Sequence, residues 1–195
     1  MARGKRELRP EIEQLKGKAA WKGDLYLWLQ AFVLISVAVV LCFVYVGRVV
    51  TVSGSSMEPT LHNGDMLLLR SGAASVEQGD IVVLTQEAFL DEPIVKRVIA
   101  TGGQTVVINY IENSVSVDGE RLEEPYVAEA MVQPAFSSSP VETVTVPEGE
   151  IFVMGDNRNH SSDSRHPNLG TVDLRCVLGE ARAVLFPLGH LQTIH

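Results

Sequence analysis

The chain has 195 residues, 46% of them hydrophobic and 21% charged, with a formal net charge of −8. That length suits one domain of ordinary size plus an appendage, and part of the apolar content must lie outside a globular core. Two cysteines, Cys42 and Cys176, exclude a disulfide framework or a cysteine metal site within one chain. The charge is also unevenly placed: residues 1–47 sum to +3 and residues 48–195 to −11, and so acidic a domain argues against binding nucleic acid.

Residues 1–23 read as a polar, basic cytoplasmic tail. An uncharged run then extends from Leu25 to Gly47. At ~1.5 Å per residue it reaches about 34 Å, enough to cross a hydrocarbon core of ~30 Å with some tilt. It is too long for the apolar region of a cleaved leader, so residues 24–47 are expected to form a retained transmembrane helix. Basic residues cluster before it and only Arg48 follows at once, which places the N-terminus in the cytoplasm and residues 48–195 outside.

From Val49 onward the pattern is one of short strands and turns. Expected strands are Val49 to Val52, Met66 to Leu69, Ile81 to Leu84, Ile94 to Ile99, Thr105 to Ile108, Ser114 to Val117, Val141 to Val146, Ile151 to Met154 and Ala181 to Phe186. Turns are marked at His62-Asn-Gly-Asp65, Gln78-Gly-Asp80, Asp118-Gly119 and Glu148-Gly149. This spacing predicts a mostly β domain, barrel-like or a folded antiparallel sheet.

Three segments could carry chemistry. In Ser53-Gly-Ser-Ser-Met-Glu-Pro-Thr60 a glycine permits a sharp turn that exposes a hydroxyl and neighbouring amides, as a nucleophile and an oxyanion site require, although serine-rich turns are also ordinary loops. In Ile94-Val-Lys-Arg-Val-Ile99 the alternation puts Lys96 on the face of Ile94 and Val98, with Arg97 pointing the other way. Such a lysine either snorkels to water or is buried and neutral enough to act as a base. Gly155-Asp-Asn-Arg-Asn-His-Ser-Ser-Asp-Ser-Arg165 is denser in donors and acceptors than a plain turn needs, and a solvated loop is its other reading. A Ser-His-Asp triad could be drawn from His62, His160 or His166 with Asp163, and a metal site from His160, His166 and Asp163, but the spacing of the latter matches no trusted zinc pattern. Glu58 and Asp65 read as turn residues; His190 and His195 lie in a tail with no readable role.

Together the three segments resemble the bacterial type I signal peptidase family. The nucleophile motif is matched by Ser56-Met-x-Pro-Thr-Leu61 with Gly64-Asp65, the lysine motif by Lys96-Arg97-Val98, and the third box by Gly155-Asp-Asn-Arg158 and Ser161-x-Asp-Ser-Arg165, over residues 25 to 186. The resemblance implies Ser56 as nucleophile, with its backbone N–H in the oxyanion hole, and Lys96 as general base. It implies that Ser161 hydrogen-bonds and orients the amine, that Asp163 and Arg165 brace the loop, that Arg97 supports the site, and that Gly155 lets backbone approach closely. It implies shallow apolar substrate pockets, for which Val52, Met57, Leu61, Ile94 and Val95 flank the catalytic positions, and no metal or cofactor. Partners would be secretory precursors, membrane lipid and the translocation machinery.

Two positions depart from the family pattern. Gly54 stands where some members carry a serine that supplies the second oxyanion donor, leaving that donor to the Ser55 backbone or a water. Gly102-Gly103-Gln104 stands where Pro-Gly-Asp is common. The tether from Arg48 to Ser56 spans at most about 28 Å, which keeps the nucleophile near the membrane boundary. The alternatives are a self-cleaving repressor-type Ser-Lys protease, against which the apolar span argues, and an inactive membrane-tethered domain that binds exported peptides.

Overall fold

The computed structural model describes residues 24–40, 48–71, 76–85 and 92–194. The expected basic tail, residues 1–23, lies outside them, as does the end of the apolar run, residues 41–47. The chain divides into two compact units, Met1–Val46 and Gly47–His195. In the first, residues 24–40 are helical and display exposed Leu25, Trp28, Phe32 and Ile35. Among the described residues no helix is long and apolar enough to cross a membrane.

The second unit is mostly β. Among the described residues twelve strands run in order: β1 (Arg48–Thr51), β2 (Met66–Ser71), β3 (Ile81–Leu84), β4 (Ile94–Thr101), β5 (Thr105–Asn109), β6 (Ser114–Val117), β7 (Glu120–Arg121), β8 (Val141–Thr145), β9 (Glu150–Met154), β10 (Val172–Asp173), β11 (Val177–Phe186) and β12 (Gln192–Thr193). They form two antiparallel sheets. The larger has the order β1-β2-β11-β3-β4-β9-β10, with β12 added beside β11, and the smaller the order β7-β6-β5-β8. Neither order closes on itself, so the folded-sheet form of the expectation describes the architecture better than a closed barrel. Register shifts between Val98 and Ala100 in β4, and at three places along β11, mark bulges that bend these strands.

The central strands read as continuous apolar runs because both of their faces are covered. Ile81 and Val83 of β3 enter one core cluster with Leu67, Leu69 and Ala181, while Val82 and Leu84 enter another with Ile151 and Val153. On β9 the alternate residues Phe152 and Met154 join a third cluster, with Val106, Ile108 and Val115 of the small sheet. The passage from β4 to β5 is a tight turn at the departing Gly-Gly-Gln: Gly103 has φ +87°, and the Gln104 side chain accepts the Thr101 N–H at 2.8 Å. An amide side chain there does the capping work that an aspartate could do.

Candidate active site

Ser56 sits on a loop whose base is closed by backbone. The Val52 N–H donates to Asp65 O at 2.8 Å and the Gly64 N–H to Val52 O at 2.9 Å. Two apolar side chains, Met57 and Leu61, anchor the loop in the core at 1% and 0% exposure. The segment between them is a single turn, with the Leu61 N–H on Met57 O at 2.9 Å. Ser56 precedes the first anchor and is half-buried at the loop edge.

Gly54 has φ +91°, a left-handed conformation in which a side chain would be strained. That accounts physically for glycine where some relatives of the motif carry serine. Its N–H donates to Asn63 Oδ1 at 3.0 Å and is therefore engaged within the loop. The Ser56 N–H has no hydrogen-bond partner among the described residues.

Lys96 enters from the centre of β4, between β3 and β9, and is 3% exposed. Its Nζ donates to Ser56 Oγ at 2.7 Å and to Val95 O at 2.9 Å. Burial pulls the amine down to about 8, against the opposing pull of the Asp163 and Asp156 carboxylates. A buried amine in contact with a hydroxyl can accept that hydroxyl's proton once it is neutral.

The third segment begins as β9 ends. Gly155 donates its N–H to Asp163 Oδ2 at 3.0 Å, and Arg165 pairs with the same carboxylate through Nε and Nη2, each at 2.9 Å. Burial pushes the Asp163 carboxyl up, but the Arg165 guanidinium and the Gly155 N–H outweigh it and hold the group below the usual carboxylate range. From the same segment the Asn157 N–H reaches Ser56 O at 3.0 Å, and Asn157 Nδ2 reaches Ser55 O at 3.1 Å. The box thus holds the backbone of the Ser56 loop as well as the surroundings of the lysine.

A Cβ added to Gly155 would lie 2.5 Å from Ser56 O and 2.6 Å from Ser161 Cβ, closer than any real contact. Gly155→Ala is therefore expected to destabilise the fold by about 1–3 kcal/mol, the usual cost of overpacking, and to lower the cleavage activity that the resemblance implies, because the strain falls on the backbone of Ser56. A thermal melt and a cleavage assay check this together. Wild-type values in both would show that the segment yields without disturbing Ser56.

Ser161 is half-buried; its buried Oγ makes no hydrogen bond of ordinary geometry, although it lies near enough to Asp163 to help hold that carboxylate down. The hydrogen bond to Lys96 that the resemblance implies is not made in this structure; Lys96 Nζ instead bonds Ser56 Oγ and Val95 O.

Arg97 is buried as well, on the other side of β4. Its Nε and Nη2 each donate to Asp156 at 2.8 Å, and its guanidinium lies 3.9 Å over the Tyr126 ring. Asp156 also accepts the Thr60 hydroxyl, so this ion pair ties β4 to both loops. Removing one partner of a buried pair costs about 3–5 kcal/mol, because the other charge is stranded.

Of the expected pocket residues, Val52, Met57, Leu61 and Val95 are buried together in one core cluster. Ile94 is half-buried against another. Their contacts are those of core packing, and at 0–1% exposure Met57 and Leu61 offer a ligand no surface.

The histidines are placed elsewhere. His160 is exposed. His166 accepts from the Asn168 N–H and packs edge-on against Phe136. Asp163, the acid of the drawn triad, is taken up by Arg165 and Gly155. Motif reading left Asp156, Asn157 and Asn63 without roles. The first two lie inside the third box and could have been flagged by position, whereas Asn63 looked like an ordinary turn residue.

Comparison with known proteins shows the family. A family model described as signal peptidase, peptidase S26, matches residues 25–186. The signal peptidase I of Bacillus licheniformis is 33% identical, over 88% of this chain and 94% of its own length. The signal peptidase I T of Bacillus subtilis is 32% identical over 88% and 91%, and a signal peptidase I of Mycobacterium tuberculosis 34% over 80% and 71%. A crystal structure of a signal peptidase I from Enterococcus faecalis is 30% identical and covers 54% of this chain and 96% of its own, with a TM-score of 0.44. With its matched motifs folded against one another and the family match covering most of the sequence, the chain belongs to the signal peptidase family, peptidase S26.

Proposed function

We propose that this protein is a membrane-anchored serine endopeptidase that removes signal peptides from exported precursors through an acyl-enzyme intermediate. The observation that carries the reading is the 2.7 Å contact between the buried Lys96 amine and the Ser56 hydroxyl. Neutral Lys96 takes the Ser56 proton as Oγ attacks the scissile carbonyl, the Ser56 N–H steadies the oxyanion, and the lysine returns the proton to the leaving amine. Lys96 then activates the water that releases the mature chain. Gly54 is engaged by Asn63, so a second oxyanion donor must come from the Ser55 backbone or a bound water.

In this reading residues 24–47 cross the bacterial cytoplasmic membrane, residues 1–23 stay in the cytoplasm and residues 48–195 work on the outer face. Membrane lipid and the translocation machinery are its neighbours, and precursors its substrates. Ser161, Asp163, Arg165 and Arg97 support the dyad, and small apolar substrate side chains dock beside the half-buried Ile94. The full chain in detergent is expected to cut a labelled precursor once, at the end of its signal peptide, and to be acylated at Ser56 by a serine-directed probe. Ser56→Ala should lose both. Cleavage by that variant would sink the assignment, and a folded wild-type chain that neither cuts nor labels would leave a binding domain.

A further inference from the structure

Three side chains outside the Ser56–Lys96 chemistry meet just past the end of the nucleophile loop. His62 follows the core anchor Leu61, Asp65 closes the loop base, and His190 arrives from the short 3-10 turn Leu188–His190 that follows β11. We propose that His62, Asp65 and His190 bind a divalent transition-metal ion of the Zn²⁺ type, clasping the C-terminal segment onto the loop that carries the nucleophile.

The geometry is close to that of a metal site. One ligand atom from each residue can be chosen so that all lie within 4.8 Å of one another, and His190 Nδ1 is already 3.3 Å from Asp65 Oδ1. Bonds of ~2.0–2.1 Å in a tetrahedral site put neighbouring ligand atoms about 3.3 Å apart, so one edge is formed and the others need only a modest closure. The two imidazole rings, 4.9 Å apart between centroids and tilted by 41°, can make it. The His62 side chain is exposed and that of His190 is 47% exposed, so both rings are free to turn. Asp65 is the fixed member: it is 2% exposed, and the His62 N–H donates to its Oδ2 at 2.8 Å, leaving Oδ1 toward His190. A carboxylate held by a neighbouring N–H is how ligands of this kind are oriented.

The donor set selects the ion. Two imidazoles and one carboxylate suit Zn²⁺, Co²⁺, Ni²⁺ or Cu²⁺, and are poor in oxygen for Ca²⁺ or Mg²⁺. A concavity of about 290 Å³ beside them, lined by Pro59, Thr60, His62, His190 and Gln192, gives the ion a way in and leaves a position for water. The clasp would reinforce an existing contact, since Gln192 Nε2 donates to Thr60 O at 3.1 Å, and would join residues 125 apart in sequence.

The test uses the full, tag-free chain in detergent, stripped with chelator and titrated with ZnCl₂ by calorimetry and thermal melting. One equivalent should bind. At about 100 times its dissociation constant Zn²⁺ multiplies the folded-to-unfolded ratio about 100-fold, raising the melting midpoint by roughly 5–10 °C. Co²⁺ should give the visible spectrum of a tetrahedral site. His62→Gln and His190→Gln should each weaken binding at least about tenfold and together abolish it, whereas His160→Gln should not change it and Mg²⁺ or Ca²⁺ should not shift the melt. No binding to wild type, or equal binding to the double variant, would leave His190 and Asp65 in a simple polar contact and overturn the proposal. None of these readouts depends on Ser56, so the outcome stands whether or not the peptidase reading does.

Discussion

Replacing Lys96 by Met is expected to abolish precursor cleavage while leaving the fold at least as stable as before. The lysine amine has two partners, Ser56 Oγ and Val95 O, and neither is a carboxylate. The acids that act on it from a distance, Asp163 and Asp156, are already paired with Arg165 and Arg97. Methionine has nearly the length of lysine and none of its charge, so it fills the same buried space without stranding an acid. Exchanging a buried ionisable group for an apolar one of similar volume is neutral to stabilising. The chemistry has no such substitute. In the proposed mechanism, loss of the general base leaves an unactivated serine hydroxyl, and a fall in turnover of at least about 10³-fold follows from the usual weight of a base acting on its nucleophile. Lys96→Arg should be equally inactive, since a guanidinium stays protonated, but it should also melt lower because a permanent charge is then buried. Initial rates with a labelled precursor, read beside thermal melts, separate the roles: activity within tenfold of wild type in a folded Lys96→Met would refute a catalytic lysine. A lower melting point with intact turnover would mark it as structural.

The second large effect is in the pH profile. With the amine near 8 in the folded protein, only the neutral form can accept the Ser56 proton, so activity should rise with pH and level off above about 9. Below 8 it should fall about tenfold per pH unit, with about one-tenth of the molecules competent at pH 7 and one-hundredth at pH 6. At its ordinary value of ~10.4, a lysine would be neutral in only about 4 of 10,000 molecules at pH 7, so burial raises the working fraction about 200-fold. Asp163 is held below the usual carboxylate range and stays charged across this window, so it contributes a constant pull rather than a second limb. Measuring kcat/KM from pH 6 to 10 at constant ionic strength checks the midpoint. A limb centred near 6.5, abolished by His160→Ala and not by Lys96→Met, would favour a histidine base instead.

How far the chain could be read from its residues depended on how local the cause was. Ile81–Leu84 and Ser114–Val117 are strands over the residues that their pattern marks, and other expected strands shift, grow or shorten by a few residues at their ends. Glu120–Arg121, Val172–Asp173 and Gln192–Thr193 carry no strand pattern. Each is two residues long and exists because an established neighbour, β6, β9 or β11, offers it hydrogen bonds. Alternation put Lys96 and Arg97 on opposite faces of β4, but it could not say that both faces are covered. That is why Arg97 is buried against Asp156 and Tyr126 rather than set in water.

The residue types and order of the three motifs by themselves determined the chemistry that this chain could carry: a serine on a glycine turn, a lysine in an apolar strand and a donor-rich loop, with an apolar run before them. Only the tertiary structure decided that Lys96 meets Ser56 at 2.7 Å, that Asp163 serves Gly155 and Arg165 rather than a histidine, and that Ser161 makes no bond to the amine. It alone brought His190, from a tail without a motif, onto Asp65 and His62. The division has one physical reason. Turns and alternation arise between residues a few places apart, whereas a buried amine's titration and a three-residue cluster depend on what long-range packing puts beside them.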